Sequence, residues 1–277
     1  MDTDHQEKKK LKSWLPCGCI VVAILLLMAL PAIFLFAWNY DHGRKIKRQM
    51  AKIREAGQPT SFAELEEFYH VPEGSTDTTQ LWLDGMQRLV DNEFRASAEK
   101  LPFVGEGKPV PPGEPWPELA EAEVLLGRYA EMLDKFHTAA DLGGAARYPV
   151  DFSAGLETKL DHVQKLRTVV TLLCLEAYVR AHRGDASSCA QSIRAMLAAR
   201  RSLEREPYLV THLVCIALHS MAAESLADTI STVKFSEDDL RFFQREMRSY
   251  DSRVGLRRGL IGDRVIGCEG FQSGSYR

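Results

Sequence analysis

From Cys17 to Trp38 the chain runs 22 residues without a charge, and no other feature constrains its architecture as strongly. At about 1.5 Å per residue, a helix of that length covers the ~30 Å hydrocarbon core of a bilayer. Pro16 stands at its start, Trp14 lies before it, and Trp38 and Tyr40 sit at its far end, as interfacial aromatics do. Pro31 inside the run is tolerated by a helix in lipid. Three rival readings fit less well. A cleaved signal peptide has a shorter apolar region and a small-x-small site, whereas here Ala32 leads into Ile33-Phe34-Leu35-Phe36. A lipoprotein box would place its cysteine after the apolar run, and Cys17 and Cys19 come before it. A buried helix of a soluble fold would not need so long a run between two basic flanks.

Both flanks are basic. Residues 1–16 form a tail with four lysines against three acids, and residues 39–58 carry six Lys/Arg against two acids. The formal charge of -3 for the whole chain therefore leaves residues 59–277 at -8. A simple count of positive charge favours a cytoplasmic domain. Long domains, however, are translocated with little regard to charge, and the first basic segment tends to be held inside. The N-terminus is accordingly expected in the cytoplasm and the domain outside. An acidic domain lacks the basic face that displaces counterions from nucleic acid, so no nucleic-acid partner is expected. The juxtamembrane basic residues suit lipid headgroups.

Beyond the run the periodicity is helical, with no alternating stretch long enough for a sheet. Residues 39–58 read as a juxtamembrane helix with Ile46, Met50 and Ile53 on one face, stopped by Gly57 and Pro59. Ser61 and Glu64 form a capping box for a short helix to about His70, and Asp77 or Thr78 opens another to about Ala98. Six prolines and three glycines make 101–117 a loop. Leu119 to Phe136 keep a 3.6 spacing, predicting one helix up to Gly143-Gly144. Leu156 to His182 reads as a long central helix, apolar nearly all round from Val169 to Leu175.

Gly184-Asp185 then turns the chain into a helix with Cys189, Ile193, Met196, Leu197 and Leu203 inward and Arg194, Arg201 and Arg205 outward. Pro207 suits the start of the next helix, running to about Ile230. Ser236, followed by Glu237, Asp238 and Asp239, opens the last one, whose buried stripe is Leu240, Phe243, Met247, Tyr250, Val254 and Ile261. Glycines 262, 267, 270 and 274 predict that this helix ends by Gly267, leaving 268–277 as a flexible tail. The expected architecture is all-α. One N-terminal transmembrane helix, 17–38, precedes an irregular helical-hairpin bundle over 59–267.

Across Ala145 to Ile230 the chain carries Arg147-Tyr148-Pro149-Val150-Asp151-Phe152, a Leu-rich helix, Gly184-Asp185, Arg200-Arg201-Ser202-Leu203 and Glu206-Pro207. In these it resembles a set of uncharacterised, N-terminally anchored helical membrane proteins of planctomycete-type bacteria. The resemblance implies an all-helical fold and a bacterial cell-envelope setting, and it implies no activity. Those proteins run on past Gly262-Asp263-Arg264, which implies that this chain is a shortened form. Ala177-Tyr178, Gly184-Asp185 and Ile193 also resemble the register of a tetratricopeptide hairpin, in a single unit rather than an array.

His212, Cys215 and His219 fall at i, i+3 and i+7, so one helix face can present all three to a soft metal. One helix rarely supplies three ligands to one ion, and a packed polar face explains the spacing more simply. Cys17-Gly18-Cys19 reads as a membrane-edge segment, and Glu64, Glu66 and Glu67 as acids serving a helix dipole. Arg253, Arg257, Arg258 and Arg264 are an anion-site candidate, but Asp251 and Asp263 beside them favour solvated ion pairs. No Gly-x-Ser-x-Gly elbow, phosphate loop or dinucleotide fingerprint occurs. No catalytic residue and no cofactor is therefore assigned. Two functions stay open: a non-catalytic envelope scaffold or interaction protein with an unnamed protein partner, and a membrane-tethered enzyme with a metal near His212 and His219. The first is preferred.

Overall fold

A computed structural model describes residues 34, 38, 40, 41, 43–87, 94 and 97–273. The expected tail 1–16, nearly all of the expected span 17–38, Cys17 and Cys19, and residues 274–277 lie outside the described residues. The chain divides between Gln58 and Pro59. On the N-terminal side of that boundary, residues 43–55 form helix α1, and Gly57, at φ 67°, ends it as its sequence predicts.

Every regular element described from Pro59 onward is helical: α2 (Phe62–Phe68), α3 (Thr79–Met86), α4 (Leu119–Arg128), α5 (Ala130–Leu142), a 3-10 turn (Phe152–Glu157), α6 (Asp161–His182), α7 (Ala186–Ser202), α8 (Leu209–Thr229), α9 (Glu237–Ser249) and α10 (Ser252–Ser273). The local start signals act as expected. Ser61 accepts from Glu64 N–H, while the Glu64 carboxylate reaches back to Thr60 N–H at 2.6 Å and its hydroxyl at 2.8 Å. Asp185 accepts from Ser188 N–H and Ser236 from Asp239 N–H, opening α7 and α9.

Helix α6 is the hub. Its residues 172–179 are all buried, and it packs against α7 and α8 with α3 and α4 on its other sides. Gly184, at φ 71°, makes the turn into α7, whose Cys189, Ile193, Met196 and Leu197 are buried as their spacing predicts. The Trp82 and Phe136 rings stack at 5.5 Å to fasten α3 to α5. A second apolar cluster joins Leu65 and Tyr69 to Phe152, Tyr208, Val265 and Ile266. It fixes α2 against the start of α8 and the middle of α10.

Four expectations are corrected. The helix after Pro117 is two helices, broken at Tyr129, whose ring is buried edge-on against Phe94. The central helix starts at Asp161 rather than Leu156, because Gly155 takes φ 61° and Leu156 is left 74% exposed. The last helix is also two. Tyr250 turns extended, at ψ 114°, and Asp251 accepts from Arg253 N–H to begin α10. The expected stripe fails at that break, so Val254 is 70% exposed.

The fourth correction is the helix end. α10 passes Gly267 and continues to Ser273, so the first residues of the expected flexible tail are helical. Whereas Gly267 has open space around it, Gly255, Gly259 and Gly262 have a packing role inside the helix. They fall at i, i+4 and i+7, and a Cβ at each would collide with the strand of chain that opens α8. At Gly255 it would lie 2.5 Å from His212 Nδ1, and at Gly259 2.6 Å from Leu209 Cα. At Gly262 it would sit on the Pro207 carbonyl, 2.8 Å from its carbon. Close backbone approach offsets the propensity lost.

Among the described residues one helix, α8, is long and apolar enough to cross a membrane. It packs on α6, α7 and α10, and its inward face carries Thr211, His212, Ser225 and Thr229. Within its apolar window 33% of the residues are buried.

Candidate functional site

His212, Cys215 and His219 do share one face of α8, but each meets a different neighbour. His212 packs on Gly255, the Cys215 thiol lies 3.7 Å from the Arg200 carbonyl oxygen, and His219 stacks on Tyr250 at 4.2 Å between centroids. Burial pushes the Cys215 thiol up to about 12, so in the absence of a metal it stays a neutral thiol at neutral pH. Burial also holds His212 below its usual value, with Arg258 acting in the same direction and Glu206 opposing; His219 is lowered by burial and by Arg200. Among the described residues no group of three His, Cys, Asp or Glu side chains is placed to hold a metal ion.

His212 and Cys215 from that face line a cleft of about 550 Å³. Phe68 of α2, the end of α7 with the turn after it, the end of α9 and the first half of α10 supply the rest. Five arginines line it: Arg200, Arg201, Arg205, Arg257 and Arg258. Three acids also line it. Glu204 pairs with Arg200, and Glu246 lies 2.6 Å from Arg201 and 3.9 Å from Arg200. Asp251 is held by Arg253, which lies outside the cleft, through two bonds of 2.9 Å. That leaves Arg205, Arg257 and Arg258 without a carboxylate among the described residues.

Arg258 donates to the Arg205 carbonyl at 2.6 Å and the Phe68 carbonyl at 2.8 Å, with its guanidinium over the Phe68 ring. Arg205 donates to the His70 carbonyl at 3.0 Å. These bonds cap the C-terminal end of α2, where cations are favoured. They do not neutralise the charge. Burial, with the neighbouring Arg205, pulls Arg258 down to about 10. Two further polar atoms of lining residues have no hydrogen-bond partner among the described residues, Arg200 Nε and His212 Nε2, and both side chains are nearly fully buried. Tyr250, under the Arg200 guanidinium at 4.6 Å, and Phe68, Val254 and Ile261 complete the lining.

The arginines expected to point outward from α7 do leave the core, but they are not idle. Arg194 reaches Asp239 at 2.8 Å and Arg201 reaches Glu246 at 2.6 Å. The offset is 45 residues in both pairs, so α7 and α9 run parallel and are laced side chain to side chain. Of the four arginines weighed together in the sequence, Arg253 is an exposed ion pair and Arg264 holds the Pro59 carbonyl; Arg257 and Arg258 reach the cleft. Nothing local in the sequence shows that Arg257 and Arg258 meet the end of α7. The Pro207 turn and the glycine face of α10 bring them together.

Two other polar clusters are closed on themselves. Glu206 is fully buried, with one oxygen 2.6 Å from His162 Nε2 and the other accepting from Thr211 at 2.7 Å. Glu176 binds His137 Nε2 at 2.9 Å and accepts from Ser192 at 2.9 Å beside a shallow cavity of about 430 Å³. Glu206 has both oxygens bonded, Glu176 has one, with Arg180 4.0 Å from the other, and both read as internal fasteners. No protein family, no curated protein and no solved structure matches this chain.

Proposed function

We propose that this chain is a non-catalytic, membrane-anchored interaction protein of a bacterial envelope, and that the arginine-lined cleft is where its partner binds. Residues 17–38 cross the bilayer, the N-terminus is cytoplasmic and the helical domain lies outside. The uncharged run between basic flanks supports the anchor. The cleft is supported by one observation above all: three arginines line it without an ion pair to a carboxylate among the described residues. The enzyme reading draws no support from His212 and His219, whose rings are engaged by Gly255 and Tyr250 separately.

Site-specific crosslinking tests this reading. A photo-reactive residue at Val254, exposed on the cleft rim, is compared with one at Val124, exposed on α4, in the full chain in its native membrane. Reproducible adducts from position 254 and none from 124 are expected, with the protein retained in the pellet after alkaline carbonate. Equal labelling from both positions, or none from 254, would refute the cleft as binding site.

A further inference from the structure

We propose that the cleft takes a phosphate-type oxyanion carried on a small organic group. This rests on the reading of the cleft as the binding site and adds the chemistry of what fills it. Charge is the first argument. Arg205, Arg257 and Arg258 lack carboxylate partners among the described residues, while residues 59–277 are acidic as a whole. A basic island in an acidic domain suits one compact anion. The three acids in the lining, Glu204, Glu246 and Asp251, are held by Arg200, Arg201 and Arg253, which leaves the other three arginines as the positive part of the cleft.

Capping is the competing explanation, and it is incomplete. It accounts for one edge of Arg205 and two nitrogens of Arg258. It gives Arg257 nothing to do, and it leaves two neighbouring guanidinium groups repelling each other. A phosphate offers several oxygens to planar forks at once, which a single capped carbonyl does not.

The orphaned atoms are the second argument. Arg200 Nε and His212 Nε2 belong to lining side chains that are about 97% and 98% buried, and neither atom has a partner among the described residues. A buried polar group left unmatched is a standing cost, and a small side-chain shift on binding would let a ligand oxygen relieve it. The third argument is shape. About 550 Å³ is more than a bare phosphate fills, and Phe68, Tyr250, Val254 and Ile261 give the remaining space an apolar face. A phosphate ester fits this combination, either as a free metabolite or as the headgroup of an anionic phospholipid.

Two arms separate those sources. Calorimetric titration of the full chain in neutral detergent with glycerol 3-phosphate reads the free ester. Co-flotation of the chain with vesicles of phosphatidylcholine, with and without phosphatidylglycerol, after insertion of its anchor and limited cleavage before Pro59, reads the headgroup through the domain released or retained. Saturable binding in either arm supports the proposal. Arg257→Gln removes a side chain with no hydrogen bond or ion pair among the described residues and should weaken binding about tenfold or more, as loss of a charge-assisted bond does. Arg183→Gln, in a remote pair with Glu123, should leave it unchanged. A folded Arg257→Gln that binds as wild type, or no binding in either arm, would overturn the phosphate chemistry. In that event adducts from position 254 would still uphold the cleft as an interaction site, so the two claims fail separately.

Discussion

Gly262 and Gly267 lie in the same helix, and replacing each by alanine should move stability in opposite directions. Helix propensity favours both changes equally, by about 1 kcal/mol. At Gly267 no atom lies within 4 Å of the new Cβ, so the gain is kept. At Gly262 the Cβ lands on the Pro207 carbonyl, which is backbone and cannot swing aside. Either α10 or the 206–209 segment must retreat. Overpacking of this kind costs about 1–3 kcal/mol. Retreat also strains the Leu209 N–H bond to Asp263, already 3.4 Å long, whose loss adds about 1 kcal/mol. Gly262→Ala should therefore destabilise by about 1–3 kcal/mol and Gly267→Ala stabilise by about 1 kcal/mol. Urea titration of the full chain in detergent, followed by helical circular dichroism, gives both midpoints. Because the chemical change is identical, propensity cancels and the difference isolates the contact. Equal midpoints for the two variants would refute the close approach of α10 to the start of α8.

Leu173 is fully buried at the centre of α6, where neighbours on all sides limit collapse, so Leu173→Ala should cost about 2–5 kcal/mol. Leu156→Ala, at a 74% exposed position, should stay within about 0.5 kcal/mol in the same urea assay. Burial pushes His137 down, but the hydrogen bond and charge of Glu176, with Asp141 and Asp134, outweigh it and raise the group above 6.5. The stabilisation is then complete below pH 6.5 and is lost as pH rises through the raised value, a decline in midpoint that His137→Gln should flatten. His212 and His219, both lowered, act in the other window and remove stability as pH falls below 6.5.

What the sequence makes legible here is local. Ser61, Asp185 and Ser236 each cap a helix through a bond to a residue three positions on, and such spacing can be read directly. The inward face of α7 is likewise read from period alone. Asp251 was also readable as a helix start, but the apolar spacing from Leu240 to Ile261 carries across the Tyr250 break and masks it. The glycines of α10 mislead for a different reason. Propensity treats glycine as a cost, and its use here depends on Pro207, distant in sequence and adjacent in space. The candidate site is the least legible part. His212, Cys215 and His219 were singled out for spacing, and that spacing is real. Two of them, His212 and Cys215, line the cleft together with Arg257 and Arg258, while His219 stacks on Tyr250.

If the cleft is occupied in the native membrane, the amides around it exchange more slowly there than in the purified chain. Hydrogen exchange on the full protein in both settings measures this directly. Near saturation, at about 100 times the dissociation constant, binding adds about 2.7 kcal/mol and slows exchange roughly a hundredfold where opening exposes the site. The predicted pattern is protection at Phe68–His70 and over residues 252–258, with α4 unchanged. Equal exchange at the cleft in the two settings, or protection spread evenly over the domain, would contradict it.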